Sequence, residues 1–276
     1  MEVDQGALRQ YQLQELEILL EFRRVCDALG LRYYLTAGTL LGAVRHQGFI
    51  PWDDDIDVAM PRKDFDRFAR VGQSLLSKQY FFQDYHSEPN FPYDFAKVRK
   101  RGTAVAEPIL GCVQMEQGIY IDIFPLDRCP DNDRLAVPFF KCVELLNCAV
   151  LARVSREFVC GYQKGYMKML WNILQRLPNR IIFALRDGLR WTASAFSSGK
   201  RLCTVGGHHG FPRETYEASW FMETEQLPFE GECFPVPRNW DALLRNMYGE
   251  YGNLPDEYER QGHFLIRERK KENEDG

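Results

Sequence analysis

The sequence has no uninterrupted apolar run of the roughly 18–20 residues that a membrane span requires. Its nearest approach, Leu135 to Val154, is broken by Lys141, Glu144 and Arg153, and reads as a helix buried in the protein. No CxxC pair occurs, so a structural zinc site has no framework. The eight cysteines, at 26, 112, 129, 142, 148, 160, 203 and 233, read as reduced and mostly buried thiols. A chain of this size builds its core without cross-links. The opening MEVDQGALRQ lacks the basic and apolar regions of a signal peptide. The expected location is therefore cytoplasmic, with a peripheral position at the inner face of a membrane as a variant. GxxxxGK(S/T) and GxGxxG are both missing, which excludes a P-loop and a dinucleotide fingerprint. Positive charge is in slight deficit, 35 Lys and Arg against 39 Asp and Glu, which argues against a nucleic-acid binder.

The 276 residues present are 45% apolar and 13% aromatic, which is a folded chain of one large or two ordinary domains. The net charge of −4 conceals an asymmetry. Between Arg134 and Arg201 twelve Lys and Arg face three acids, a net +9, so the remainder carries −13. That basic stretch suits an anionic membrane surface or glycan carrier, or simply the solvated faces of three helices.

Apolar residues at three- and four-residue steps (Leu8, Tyr11, Leu19, Phe22, Cys26, Leu29) predict an amphipathic helix over 7–29, ended by Gly30. RYYLT at 32–36 predicts a short strand, 38–42 a small-residue turn opening a helix, and 56–60 a second strand. Pro61 starts another helix, and residues 80–124 continue the sheet. DRCPDNDR at 127–134 is a polar break before helices at 134–160, 165–177 and 179–195. Loops or short strands follow to Pro237, then a helix at 239–247.

The chemistry concentrates in Trp52-Asp53-Asp54-Asp55-Ile56-Asp57. Alternation along a strand puts Asp55 and Asp57 on one face, one period apart, where two carboxylates reach a common divalent ion. Asp53 shares their parity nearer the loop. Asp122, alone in the apolar run IYIDIF, needs a metal, a basic partner or an exposed edge. Asp127 is a weaker candidate at a strand exit. Gly38 and Thr39 open a helix whose free N–H groups suit a phosphate. Arg45, Lys97 and Arg99 are candidate diphosphate contacts. Trp52, Tyr93, Phe95, Tyr120 and Tyr248 are candidate walls for a quaternary ammonium. The glycines around His208 and His209 suggest a loop beside the active site, and His263 stands apart near the end of the chain.

GTLLGAVRHQGFIPWDDDIDVAMPR at 38–62, FAKVRKRGT at 95–103, GIYIDIFPLD at 118–127 and FPVPRNWDALLRNMYGEYGNLP at 234–255 together resemble the LicD family of phosphotransferases, which includes the fukutin-related proteins. The resemblance implies an α+β fold, a nucleotidyltransferase-like mixed sheet flanked by helices with a largely helical insertion or second lobe. It implies one catalytic domain over 1–263, with an α/β core at 1–133 and 202–263, a basic helical lobe at 134–201, and a solvated tail at 264–276. It implies transfer of a phospho-alcohol group, phosphocholine from CDP-choline first, to a hydroxyl of a cell-surface glycan or lipid-linked glycan precursor, with release of CMP. Bacterial relatives decorate teichoic acid or lipo-oligosaccharide in this way. By the same resemblance Asp55, Asp57 and Asp122 are catalytic and bind Mg²⁺, with Mn²⁺ as an alternative. Gly38, Thr39, Arg45, Trp52, Lys97 and Arg99 then fall to the donor. Three alternatives stay open: a CDP-ribitol or other CDP-polyol donor, a nucleotidyltransferase releasing pyrophosphate, and a noncatalytic glycan-binding protein.

Overall fold

The computed structural model describes residues 5–105, 107, 110, 113–155, 165–207, 209–256, 260 and 262. His208, His263, Cys112, Cys160 and the 264–276 tail lie outside the described residues.

Helix α1 (Gln5–Leu29) buries one face, Leu8, Tyr11, Ile18, Leu19, Phe22, Val25 and Cys26, against the sheet, as its apolar spacing predicts. Two polar side chains, Gln12 and Glu15, lie in that same face, which the apolar pattern alone does not reveal. Strand β1 (Tyr34–Leu35) is only two residues long and leads into α2 (Ala37–His46). Then come β2 (Asp57–Pro61), α3 (Arg62–Leu75), β3 (Tyr80–Gln83), β4 (Ala96–Lys100) and β5 (Tyr120–Arg128).

The strands run in the order β1-β2-β5-β4-β3, with β2 and β5 parallel and the other pairs antiparallel. Strands β6 (Arg201–Cys203) and β7 (Thr215–Glu217) extend the sheet from the far end of β5, through Asp127 opposite Cys203. Chain on both sides of the helical stretch thus joins one sheet. A hairpin, β8 (Thr224–Phe229) and β9 (Glu232–Pro237), precedes α7 (Trp240–Tyr248). Phe229, Phe234, Leu243 and Leu244 from this last part enter the same apolar cluster as α1, β2 and β5.

Between β5 and β6 stands a distinct helical lobe: α4 (Asp133–Val154), α5 (Gly165–Leu174) and α6 (Asn179–Ala195). The Asn132 side chain caps α4 by accepting from Leu135 N. Helix α4 is long and apolar enough to cross a membrane, but its Leu145, Leu146, Ala149 and Val150 pack on Trp171, Leu174, Ile182 and Phe183. Arg186 ties the lobe to the core, donating to Asn147 Oδ1 and to Tyr93 O. The architecture is α+β, a mixed sheet flanked by helices with a separate helical lobe. Cys26, Cys129, Cys142, Cys203 and Cys233 carry free thiols, with Cys26, Cys129 and Cys203 buried.

Candidate active site

Strand register builds the site. Asp57 on β2 lies opposite Asp122 on β5, and Asp122 opposite Lys97 on β4. One row thus crosses three adjacent strands as acid, acid, base. Side chains in such a row share a face of the sheet. Asp55 lies two residues before the start of β2, close enough that its charge acts on Asp57.

The turn at the start of α2 locks onto this row. Thr39, buried, accepts the Asp57 backbone N–H on its hydroxyl at 2.8 Å. A Cβ on Gly38 would stand 2.7 Å from Asp53 Oδ2, so only glycine lets that carboxylate rest against the helix start. Gln12 of α1 donates to Asp53 O at 2.9 Å and holds the acidic loop from the other side.

The carboxylates crowd one another. Burial, then Asp55 and Asp122, push the Asp57 pKa well up. Burial, Asp55 and Asp54 do the same to Asp53. Asp122 is raised to about 6 by burial, against the downward pull of Lys97. Glu15 is wholly buried with no hydrogen-bond partner on either oxygen, and burial plus Asp55, Asp54 and Asp53 drive its pKa up.

Lys97 and Arg99 take places that differ from the expected diphosphate contacts. Lys97 is 2% exposed, with Nζ 2.8 Å from Asp122 Oδ1 and 3.5 Å from Glu107 Oε2. Arg99 is fully buried and donates to Gln83, to Glu107 and to Gly118 O at 2.8 Å. Both cations face inward because β4 is an interior strand with α1 packed beside it. The expected aromatic walls divide for the same reason. Lys97 Nζ lies 3.2 Å from the Tyr120 centroid, 5.5 Å from Phe95 and 5.6 Å from Tyr93. These three rings surround the chain's own ammonium. Trp52 is half-buried beneath the Arg260 guanidinium, 5.3 Å from its ring centroid.

Arg45 donates to Tyr251 O at 3.1 Å, and its Nε is buried with no hydrogen-bond partner. It thereby joins α2 to the YGEYG segment after α7. Tyr248 faces the acidic loop, its hydroxyl pKa raised by burial, then by Asp57, Asp53 and Asp55. The His209 ring stands edge-on to Tyr248 at 5.1 Å. The glycines of its loop have an internal cause. A Cβ on Gly206 would meet Asp94 Oδ1 at 2.0 Å, and one on Gly207 would meet Glu214 Oε1 at 1.9 Å. Asp127 is held by two bonds from Arg62, at 2.6 and 2.7 Å, and serves as a structural ion pair. His46 is exposed at the end of α2.

Glu214 gives a pH prediction. Burial raises its carboxyl from 4.5 to about 7. The folded state therefore favours the protonated acid. That contribution is whole below pH 4.5 and is lost as pH rises to about 7, at a cost of about 3 kcal/mol. Glu214→Gln, which can still accept from His209 N, should raise the melting temperature at about pH 8 and leave it unchanged at about pH 4. An equal shift at both pH values would refute the charged-carboxylate cause.

Among the described residues no group of three His, Cys, Asp or Glu side chains is arranged to hold a metal ion. Of the three expected carboxylates, Asp122 already pairs with Lys97. Asp55 and Asp57 still fit a divalent ion. They are hard oxygen donors whose mutual repulsion a cation would relieve, and Mg²⁺ takes one or two protein carboxylates plus substrate phosphate.

The mixed sheet carries acidic side chains beside the first turn of α2, the arrangement that the resemblance to the LicD family implies. Residues 30–133 match the family model described as "LicD/FKTN/FKRP, nucleotidyltransferase domain". The chain is 26% identical to the lipopolysaccharide cholinephosphotransferase LicD of Haemophilus influenzae, over 94% of this chain and 96% of that protein. It is 50% identical over 40 residues to the human ribitol 5-phosphate transferase FKRP, which covers 14% of this chain and 8% of that protein. The mouse protein of the same name matches equally. Residues 30–133 thus belong to the LicD/FKTN/FKRP nucleotidyltransferase family, and the similarity over the rest of the chain supports phosphotransferase-like activity only in general terms.

Proposed function

We propose that this chain moves phosphocholine from CDP-choline to a hydroxyl of a glycan or lipid-linked glycan, releasing CMP. The observation that carries the chemistry is the row Asp57–Asp122–Lys97 across three adjacent strands, with the charge of Asp55 acting on Asp57 from just before β2. The donor is supported by the near full-length similarity to the Haemophilus influenzae cholinephosphotransferase.

In this reading Asp55 and Asp57 hold Mg²⁺ or Mn²⁺. Such an ion, when bound, neutralises the donor diphosphate and the departing CMP. The remaining work belongs to the chain itself. Asp122 takes the proton from the acceptor hydroxyl as that oxygen attacks the phosphorus bearing the alcohol. The P–O bond to CMP breaks in line and no covalent enzyme intermediate forms. Lys97 keeps Asp122 ionised and oriented, and Thr39 fixes the backbone of Asp57. Arg45, with its buried unpaired Nε, contacts a donor phosphate. Gly38 and the first turn of α2 lie against the diphosphate.

A CDP-ribitol donor is a second reading. It is favoured by the local similarity to the ribitol 5-phosphate transferases and by the capture of Tyr93, Phe95 and Tyr120 by Lys97. Incubation with Mg²⁺ and CDP-choline, CDP-ribitol or CTP separates the possibilities. Release of CMP from CDP-choline is expected. Release from CDP-ribitol alone would move the donor to the polyol. Pyrophosphate from CTP would overturn the phosphotransferase, and Mg²⁺-indifferent glycan binding without turnover would identify a binding protein.

A further inference from the structure

The helical lobe carries an uncovered surface that the active site does not use. Helix α6 is amphipathic. Ile182, Phe183, Arg186, Arg190 and Ala193 face inward, while Ile181, Leu185, Trp191 and Phe196 (just past its end) face out. Trp191 is 74% exposed and Phe196 78%. Met169, Leu170 and Ile173 of α5 are also exposed, at 68%, 39% and 49%. Among the described residues most of the exposed large apolar side chains thus fall in this one lobe, where a soluble surface would place polar ones.

Charge decides what covers them. Exposed Arg176 and Arg180 stand at the start of α6, and exposed Lys200 stands beyond its end. Against them stands Asp187 of α6, which Arg190 pairs. Arg186 and Arg190 turn inward, so part of the positive excess serves the core, but the lobe's exposed face remains basic. A protein partner with an apolar face would match the rings and not the cations. An anionic bilayer matches both, taking apolar side chains below the headgroups while Lys and Arg meet lipid phosphates.

We propose that α6, with α5, lies in the plane of an anionic membrane surface and docks the protein there through Trp191 and Phe196. With seventeen residues, α6 offers a contact about 25 Å long. Helix α4, packed on the far side of α5 and α6 by its own apolar face, stays in the protein and does not span the bilayer. The docking is independent of the donor and of the acidic site, so it is measured without substrate.

The experiment is co-sedimentation of the full chain with phosphatidylcholine vesicles and with vesicles that also contain phosphatidylglycerol. Binding is expected only to the anionic vesicles and should weaken as salt is raised. The Trp191→Ala/Phe196→Ala variant should bind at least about 10-fold more weakly, with an unchanged melting temperature because both rings are exposed. Vesicle binding should also shift tryptophan emission to the blue in the parent and not in Trp191→Phe, which keeps an apolar ring. Absence of binding to anionic vesicles, or equal binding by the double variant, would overturn the proposal. So would a dimer in solution that the double variant abolishes, since a second copy would then be what covers the face.

Discussion

Asp57→Asn should lower turnover by at least about 10²–10³-fold while leaving the fold as stable as the parent, or more so. Activity falls because asparagine cannot carry the charge that a divalent ion or the donor would meet. Stability holds because the native carboxylate is disfavoured where it stands. It is buried, and burial with Asp55 and Asp122 pushes its pKa well up. Removing that charge relieves repulsion without opening a cavity, as asparagine and aspartate have nearly equal volume. The local backbone does not depend on the side chain at this position, since Thr39 Oγ1 accepts from the backbone N–H of Asp57. A loss of activity with no loss of stability separates a working residue from a packing one. The companion measurement is a thermal shift with Mg²⁺. At a concentration of 100 times Kd a bound ion stabilises by about 2.7 kcal/mol, a shift the parent should show and the variant should lack. Full turnover in the variant, or an equal Mg²⁺ shift, would remove Asp57 from the site.

The sequence made the carboxylates legible and their environment much less so. A strand period is enough to predict Asp55 and Asp57 on one side, and the isolated acid in IYIDIF announces that Asp122 needs a partner. Which partner depends on register between strands far apart in the chain, and a single sequence carries no record of it. Lys97 and Arg99 show the consequence. Their alternation in FAKVRKRG suggests a strand with one solvated face, yet β4 lies between β5 and β3 with α1 packed near it, and both cations are buried. Their counter-charge, Glu107, sits in a stretch without periodicity and gave no sign of itself. Two cations two residues apart on a strand of a mixed sheet were the available signal that a buried acid must exist. Gln12 and Glu15 were hidden in another way. The apolar positions of α1 define its buried face correctly, but polar residues at the same spacing look like interruptions until the acidic loop is seen to need them. The long helices were plainest: α6 covers the expected 179–195, because periodicity and a preceding proline are both local.

Lys97→Met is the second large effect, and it acts on the fold. The Lys97 ammonium lies 2.8 Å from Asp122 and 3.5 Å from Glu107, all three nearly out of solvent. Methionine keeps the packing against Tyr120 but leaves Asp122 buried beside Asp57 with no cation. Glu107 fares better, since Arg99 still donates to it. Breaking a buried pair from one side costs about 3–5 kcal/mol, because the surviving charge is unpaired. For a chain of this size that is a fall in melting temperature of about 10 °C. The second half of the cycle assigns the cause. Adding Asp122→Asn to Lys97→Met removes the orphaned charge and should recover most of the stability, a coupling that independent sites would not show. Activity should not return, since the double variant lacks the proton acceptor. Even with Lys97 present the Asp122 carboxyl is raised to about 6. Without Lys97 it rises further, which weakens Asp122 as a proton acceptor, so the single variant should lose activity even where it stays folded. A Lys97→Met protein as stable as the parent, or a double variant no more stable than the single, would show that the ammonium is not what makes two buried carboxylates tolerable beside Asp57.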